Sequence, residues 1–301
     1  RMSLTIIKPL EVTPAMLTTD VPEADYPAWA AGTTYAADVR VIYAHKVYQS
    51  LQAANTGKQP DTMPLWWAEV GPTNRWAGFD RSHSTKVRQA NAMYFEVFPG
   101  NLASPLNAVA LLEIEAMRAV RVRLTHPNYG TVYDKTTSLY SFPEESNWYR
   151  WFFGDRIEQT NFSALDLPNY PGATVRIDCE GTPDMAAGVI LLGDQRRIGE
   201  GVQSGVRMGI RDYSRKEVNQ WGDVVLQQRA YSKTRSIQVL LKNDELDGVD
   251  RLLTSLRSTP LLWIIGKRLQ SPNVYGWYGS FDILIQYANH SECSIDIEGF
   301  T

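Results

Sequence analysis

The chain has 301 residues, enough for two or three packed units that each bury a core of their own. Its 30 Lys and Arg against 33 Asp and Glu leave a formal charge of -3, too balanced to advertise nucleic acid as a partner. The longest apolar run, Leu261 to Ile265, falls far short of the roughly 20 residues that a spanning helix needs, so no membrane insertion is expected.

From the first residue to Asp25, a short apolar start at Leu4 to Ile7 gives way to Pro9, Pro14 and Pro22, which interrupt helix and central strand alike. This stretch, 1–25, reads as an extended N-terminal arm, either a linker or a segment that docks on a neighbouring subunit. From Tyr26 to Gly71 come short polar-aromatic strands with turn residues between them. Val39, Val41 and Tyr43 alternate with Arg40 and Ile42, and His45 and Lys46 turn the chain into Val47 to Leu51. A unit this small has little aliphatic core, so its Trp and Tyr residues must supply most of the buried area.

The region 72–203 carries several strand-like runs: Val109 to Ala116, Thr174 to Asp178, Val189 to Leu192, and Arg118 to Leu124 with Val120, Val122 and Leu124 set between arginines. Almost no helical period accompanies them, and the expected fold is a β-sandwich of jelly-roll type. The last region, 204–301, is expected to be α+β. Leu246, Val249, Leu252, Leu253 and Leu256 recur at helical spacing, acidic Asp244 and Glu245 open the segment, and Pro260 ends it. Strands are expected at Ser236 to Leu241, Leu261 to Ile265, Phe281 to Tyr287 and Ser294 to Ile297, with turns at Gly266, Pro272 and Gly276 to Gly279. The fold class is thus mainly β, with one helix near the C-terminus.

Motifs for chemistry are scarce. His45, His83, His126 and His290 are scattered with no metal-ligand spacing, and no metal or cofactor is expected. No nucleophile elbow or Walker loop occurs, and Gly199, Gly201, Gly205 and Gly209 suit a bent strand or domain joint better than a phosphate cradle. Glu144, Glu145, Asp155 and Glu158 cluster among aromatics and are the residues a glycoside hydrolase would use, but the stretch reads more economically as a packed strand or interface, so no catalytic residue is assigned. Cys179 and Cys293 stand far apart with no CxxC motif, as expected of synthesis in a reducing cytoplasm.

The ordered series Trp29, Gly32-Thr-Thr-Tyr35, Asp38-Val39, Val47-Tyr48, Gly57, Pro60 and Trp66-Trp67 resembles the small chitin- and cellulose-binding modules of carbohydrate-binding families 5 and 12. That resemblance implies a three-stranded aromatic module at 26–71. Flat sugar rings stack on exposed aromatic faces, and Trp66, Trp67, Tyr43 and Tyr48 are the candidate sugar-binding residues. The residues alone leave open a rigid spacer whose tryptophans are core. A second resemblance covers most of the remainder. The passages Pro72 to Asp80, Asp212-Tyr-Ser-Arg-Lys-Glu217, Arg229-Ala-Tyr-Ser232 and the terminal run from Tyr278 are similar to virion proteins of siphophage tail tips and baseplates, of the distal tail type.

That second resemblance implies a non-enzymatic structural protein. It would be made in the bacterial cytoplasm, carried in the virion tail and assembled as a homo-oligomeric ring, a hexamer or trimer, against tail tube, hub and tail-fibre proteins. Host cell-surface polysaccharide would be a further partner of the module. The alternatives are a stand-alone carbohydrate-binding accessory protein and, behind it, a glycan-degrading enzyme.

Overall fold

The computed structural model describes residues 3–82, 84–100, 106–141, 157–203, 205–218, 221–266, 273–285 and 287–300. The chain is mainly β, in antiparallel sheets, with one α-helix near its C-terminus. It divides into two compact units, Glu11–Leu192 and a second built from both chain ends, Arg1–Leu10 with Gly193–Thr301. The boundary expected at 203/204 therefore lies at Leu192/Gly193, inside the strand Val189–Ile198.

In the unit of the two chain ends, Leu4–Pro9 pairs on one side with residues of Val189–Ile198 and on the other with Leu261–Ile264. The order continues through Val274–Leu284, His290–Gly299 and Tyr231–Lys242. Leu4, Ile6 and Ile7 are fully buried, so the start of the chain is a central strand of its own unit rather than a free arm. Pro9 is tolerated because it is the last residue of that strand. The helix Leu246–Ser255 turns Val249 and Leu253 onto a core that also holds Trp263, Ile237 and Ile295, as its apolar spacing requires. Tyr278 Oη fixes it by donating to the Leu253 carbonyl at 2.7 Å.

Gly276 and Gly279, expected as turn residues, lie inside the strand Val274–Leu284. Gly276 sits opposite Gly299, and a Cβ there would run into the backbone of Glu298 and Gly299, so glycine serves a close strand approach. The strand is consequently displaced from the expected Phe281 to Tyr287.

In the larger unit, one sheet runs in the order Gly130–Ser138, Glu115–His126, Thr174–Ala187, Ala92–Val97, Leu17–Thr19. Ala108–Leu112 pairs with Phe162–Ala164 and with Val189–Ile198 in a second layer. Both layers contribute to one core: Phe95, Val120, Val122 and Ile177 from the first, and Val109, Leu111, Phe162 and Ile190 from the second. That is the expected β-sandwich. At the waist of its outer face Arg176 reaches Asp178 and Glu96, lies 3.9 Å over the Tyr94 ring, and shares Asp178 with Arg123.

The aromatic module belongs to the same unit and has the three-stranded sheet expected of it, Arg40–Tyr43, Lys46–Ser50 and Trp67–Pro72. Its tight turn is made by Ala44 and His45, both at positive φ (47° and 66°), without a glycine. His45 is held there from outside the hairpin. Its Nδ1 donates to Glu23 at 2.9 Å, its ring lies 5.0 Å from that of Trp76, and Glu23 also accepts from Thr73 Oγ1 at 2.8 Å. The buried core of the module is Tyr35, Val41, Tyr48 and Trp67, three aromatics to one aliphatic.

Candidate functional site

The four candidate sugar-binding residues separate into two pairs. Alternation along the paired strands puts Val41, Tyr43, Tyr48 and Trp67 on one face of the three-stranded sheet. That face is covered from above by Trp29 and Tyr35. Trp67 is 2% exposed and Tyr48 6%, so neither has a face for a sugar ring, and both leave the list of candidates. Trp67 is further committed by Nε1 donating to the Lys58 carbonyl at 2.8 Å and by an edge-to-face contact with Tyr35 at 5.4 Å. Both are core because a cluster with one buried aliphatic residue, Val41, must fill its centre with rings.

Tyr43 and Trp66 are only partly buried and remain available, and Trp29 joins them. The Trp29 and Tyr43 rings meet edge to face at 5.5 Å. Trp29 Nε1 is buried and finds no acceptor among the described residues, so it is the ring of Trp29 and not its N–H that the site can offer. Gln59 Nε2 donates to Tyr43 Oη at 2.7 Å, and the Lys58 ammonium lies 5.5 Å from the Trp66 ring centre. One short loop therefore supplies a polar group to each of the two surviving candidates.

The loop is itself anchored. Asn55, fully buried, donates to Ser50 Oγ at 3.0 Å, and Gln52 Nε2 donates to the Leu65 carbonyl at 2.9 Å. Leu51, Met63 and Leu65 are exposed on this loop system, giving a surface of mixed aromatic and aliphatic character. Sequence reasoning listed Trp29 as part of the pattern but not as a surface residue. Trp29 follows the single bridge residue Ala28, which pairs with Ile42, and one bridge leaves no strand period in the sequence to assign a face.

A second unusual surface lies in the other unit. Arg207–Asp212 extends the large sheet by pairing with residues 231–236 of Tyr231–Lys242, and beyond it Arg215–Val218 pairs with Val224–Gln227 as a two-stranded ribbon. Every residue of Arg207–Asp212 and of both outer strands is solvent-exposed. The cross-strand pairs Val218 with Val224 and Lys216 with Leu226 place three aliphatic side chains on one face. Met208 and Ile210 are exposed lower down, and Trp221, 81% exposed, stands at the turn. The ribbon is tied at its base by Glu298, which accepts from Tyr213 Oη at 2.8 Å and from Arg211 at 2.9 Å.

Of the acidic cluster, Glu144, Glu145 and Asp155 lie outside the described residues, while Glu158 is exposed on the short strand Ile157–Glu158. Among the described residues no three His, Cys, Asp or Glu side chains are gathered as a metal would need. Cys179 and Cys293 are free thiols, both buried. Among the described residues no helix is long and apolar enough to cross a membrane. No family model, no curated protein and no solved structure matches this chain.

Proposed function

We propose that this chain is a structural component of a phage tail tip or baseplate, assembled as a closed homo-oligomeric ring, with the module at 26–71 directed at host-surface glycan. The observation that carries the assembly half is the exposed two-stranded ribbon of Arg215–Val218 and Val224–Gln227. A two-stranded hairpin is marginal in water by itself, and one that leaves Val218, Val224 and Leu226 in solvent gains nothing from them until something covers them. At about 3.3 Å per residue the outer strands alone extend the ribbon by more than 10 Å, enough to reach across a subunit boundary.

A protruding element that docks on a different surface of an identical neighbour makes a head-to-tail contact, and such contacts repeat into a ring when the rotation closes. The passages that resemble tail-tip proteins, Asp212 to Glu217 and Arg229 to Ser232, fall on opposite sides of this ribbon. The glycan half rests on Tyr43, Trp66 and Trp29, whose partly open rings and flanking Gln59 and Lys58 combine stacking surface with hydrogen-bonding groups.

The test of assembly is negative-stain microscopy and sedimentation of the purified chain beside a Val224→Lys/Leu226→Lys variant. Closed rings that fall apart in the variant are expected. A chain that sediments as a monomer at all concentrations, or rings unaffected by two lysines on the ribbon, would overturn the proposal.

A further inference from the structure

One end of the large sheet of the sandwich gathers exposed aromatic rings that the fold does not require. Glu115–His126 and Gly130–Ser138 are joined by a tight turn in which His126 pairs with Gly130, and Tyr129 within it is 69% exposed. Turn positions of this kind ordinarily carry small polar residues. The neighbouring strand begins at Thr174, opposite Thr125, so the loop before it, with Tyr170 (39% exposed), lies at the same end. The rings meet: His126 and Tyr129 at 4.8 Å, Tyr129 and Tyr170 at 5.9 Å, His126 and Tyr170 at 6.1 Å. On the next strand Val97 pairs with Val175, which brings half-exposed Phe98 to this end as well.

The rings are held in place. Asn128 N donates to His126 Nδ1 at 3.1 Å and Tyr129 N to the His126 carbonyl at 3.3 Å. Pro168 and Pro171 flank Tyr170, whose carbonyl accepts from Ala173 N at 3.1 Å. Asp166, earlier in the same loop, accepts from Tyr133 Oη at 2.9 Å and from Lys135 Nζ at 3.0 Å, which ties the loop to the strand that follows Tyr129. A platform fixed on both sides loses little freedom when it is covered.

We propose that this end of the sandwich is a second binding platform, whose occupant is a neutral pyranose chain. Between residues 72 and 192, Phe98, Tyr129 and Tyr170 are the only large hydrophobic side chains exposed among the described residues and all three are aromatic, so the patch lacks the aliphatic surround of a protein-docking core. Its exposed groups are flat rings with negative faces and polar edges, which suit the weakly positive C–H faces and the hydroxyls of a sugar. Asp166 is matched by Lys135, leaving no uncompensated charge on that pair to select an ion. From the turn to Phe98 is two strand spacings, about 10 Å, the span of a short oligosaccharide.

The experiment uses the full chain carrying Tyr43→Ala and Trp66→Ala, so that the module at 26–71 does not contribute, titrated calorimetrically with N-acetylchitohexaose, cellohexaose and maltohexaose. At least one hexaose is expected to bind. Tyr129→Ala with Tyr170→Ala in the same background should weaken it about tenfold or more, while Tyr129→Phe with Tyr170→Phe, which keeps the rings, should retain it. Three results would each overturn the platform: no binding of any hexaose to the Tyr43→Ala/Trp66→Ala chain, binding unchanged by the alanines, or a change in sedimentation on Tyr129→Ala, which would make the patch a protein contact.

Discussion

Replacing Trp67 by Ala separates the role of this residue from that of its neighbour Trp66. Trp67 is 2% exposed, packs edge to face on Tyr35 and donates its indole N–H to Lys58 at 2.8 Å. Truncating a buried tryptophan to alanine costs about 3 to 5 kcal/mol, and here the Lys58 carbonyl also loses its donor, so a cost of about 4 kcal/mol is expected. The hydrophobic cluster it belongs to has only four buried side chains, Trp67 included, with little to close over the gap. At 1.4 kcal/mol per factor of ten, local opening should become roughly a thousandfold more frequent. Native-state hydrogen exchange read on residues 40–50 measures it directly, with Glu115–His126 as the internal reference whose protection stays constant. Trp66→Ala, at a partly exposed site, should cost under about 1 kcal/mol. A less than threefold change at 40–50 in the Trp67→Ala chain would refute the assignment of Trp67 to the core.

Other outcomes follow from single features of the structure. Burial alone would raise the Asp178 carboxyl, but the hydrogen bonds and charges of Arg176 and Arg123 outweigh it and hold it below the usual carboxylate range. Its stabilising share is therefore present above the unfolded carboxylate value near about 3.9 and lost as pH falls below it. Asp178→Asn should lower stability at pH 7 by about 1 kcal/mol, after allowance for solvent screening, and flatten the acid limb of a melting-temperature profile. An unchanged acid limb would count against that ion network. Gly276→Ala should destabilise the smaller unit by more than about 2 kcal/mol, because its methyl would enter the Glu298 carbonyl, and chemical denaturation would show it. Burial pushes the Cys293 thiol up to about 11 and the Cys179 thiol higher still, so neither should react with a thiol reagent at pH 7 until the chain is unfolded, when two thiols should titrate.

What could be read from the sequence was whatever repeats with a local period. The helix Leu246–Ser255 was marked by its apolar spacing, and Val120, Val122 and Leu124 by alternation in a half-buried strand. The three-stranded module was legible from its ordered aromatics and turn residues. Long-range pairing left no such mark. Leu4–Pro9 reads as an arm because its partners, Val189–Ile198 and Leu261–Ile264, lie far along the chain. Gly276 reads as a turn because the reason for it, the backbone of Glu298, is equally remote. At the candidate site the sequence supplied the right residue types but not their faces. Tyr43 lies on the same face of the sheet as Tyr48 and Trp67, and only tertiary packing decides that it stays partly open while they are covered. The exposure of Val218, Val224 and Leu226 was hidden for the converse reason, since a ribbon awaiting cover has the same composition as a buried strand.

Immunogold microscopy of phage particles released from cells that make this chain, using antibody against the module at 26–71, tests the tail-tip assignment most directly. Label confined to the distal end of the tail, in a number of copies consistent with a closed ring, is the predicted result. Particles that carry none of this chain, with the protein recovered only in the free fraction of the lysate, would contradict it.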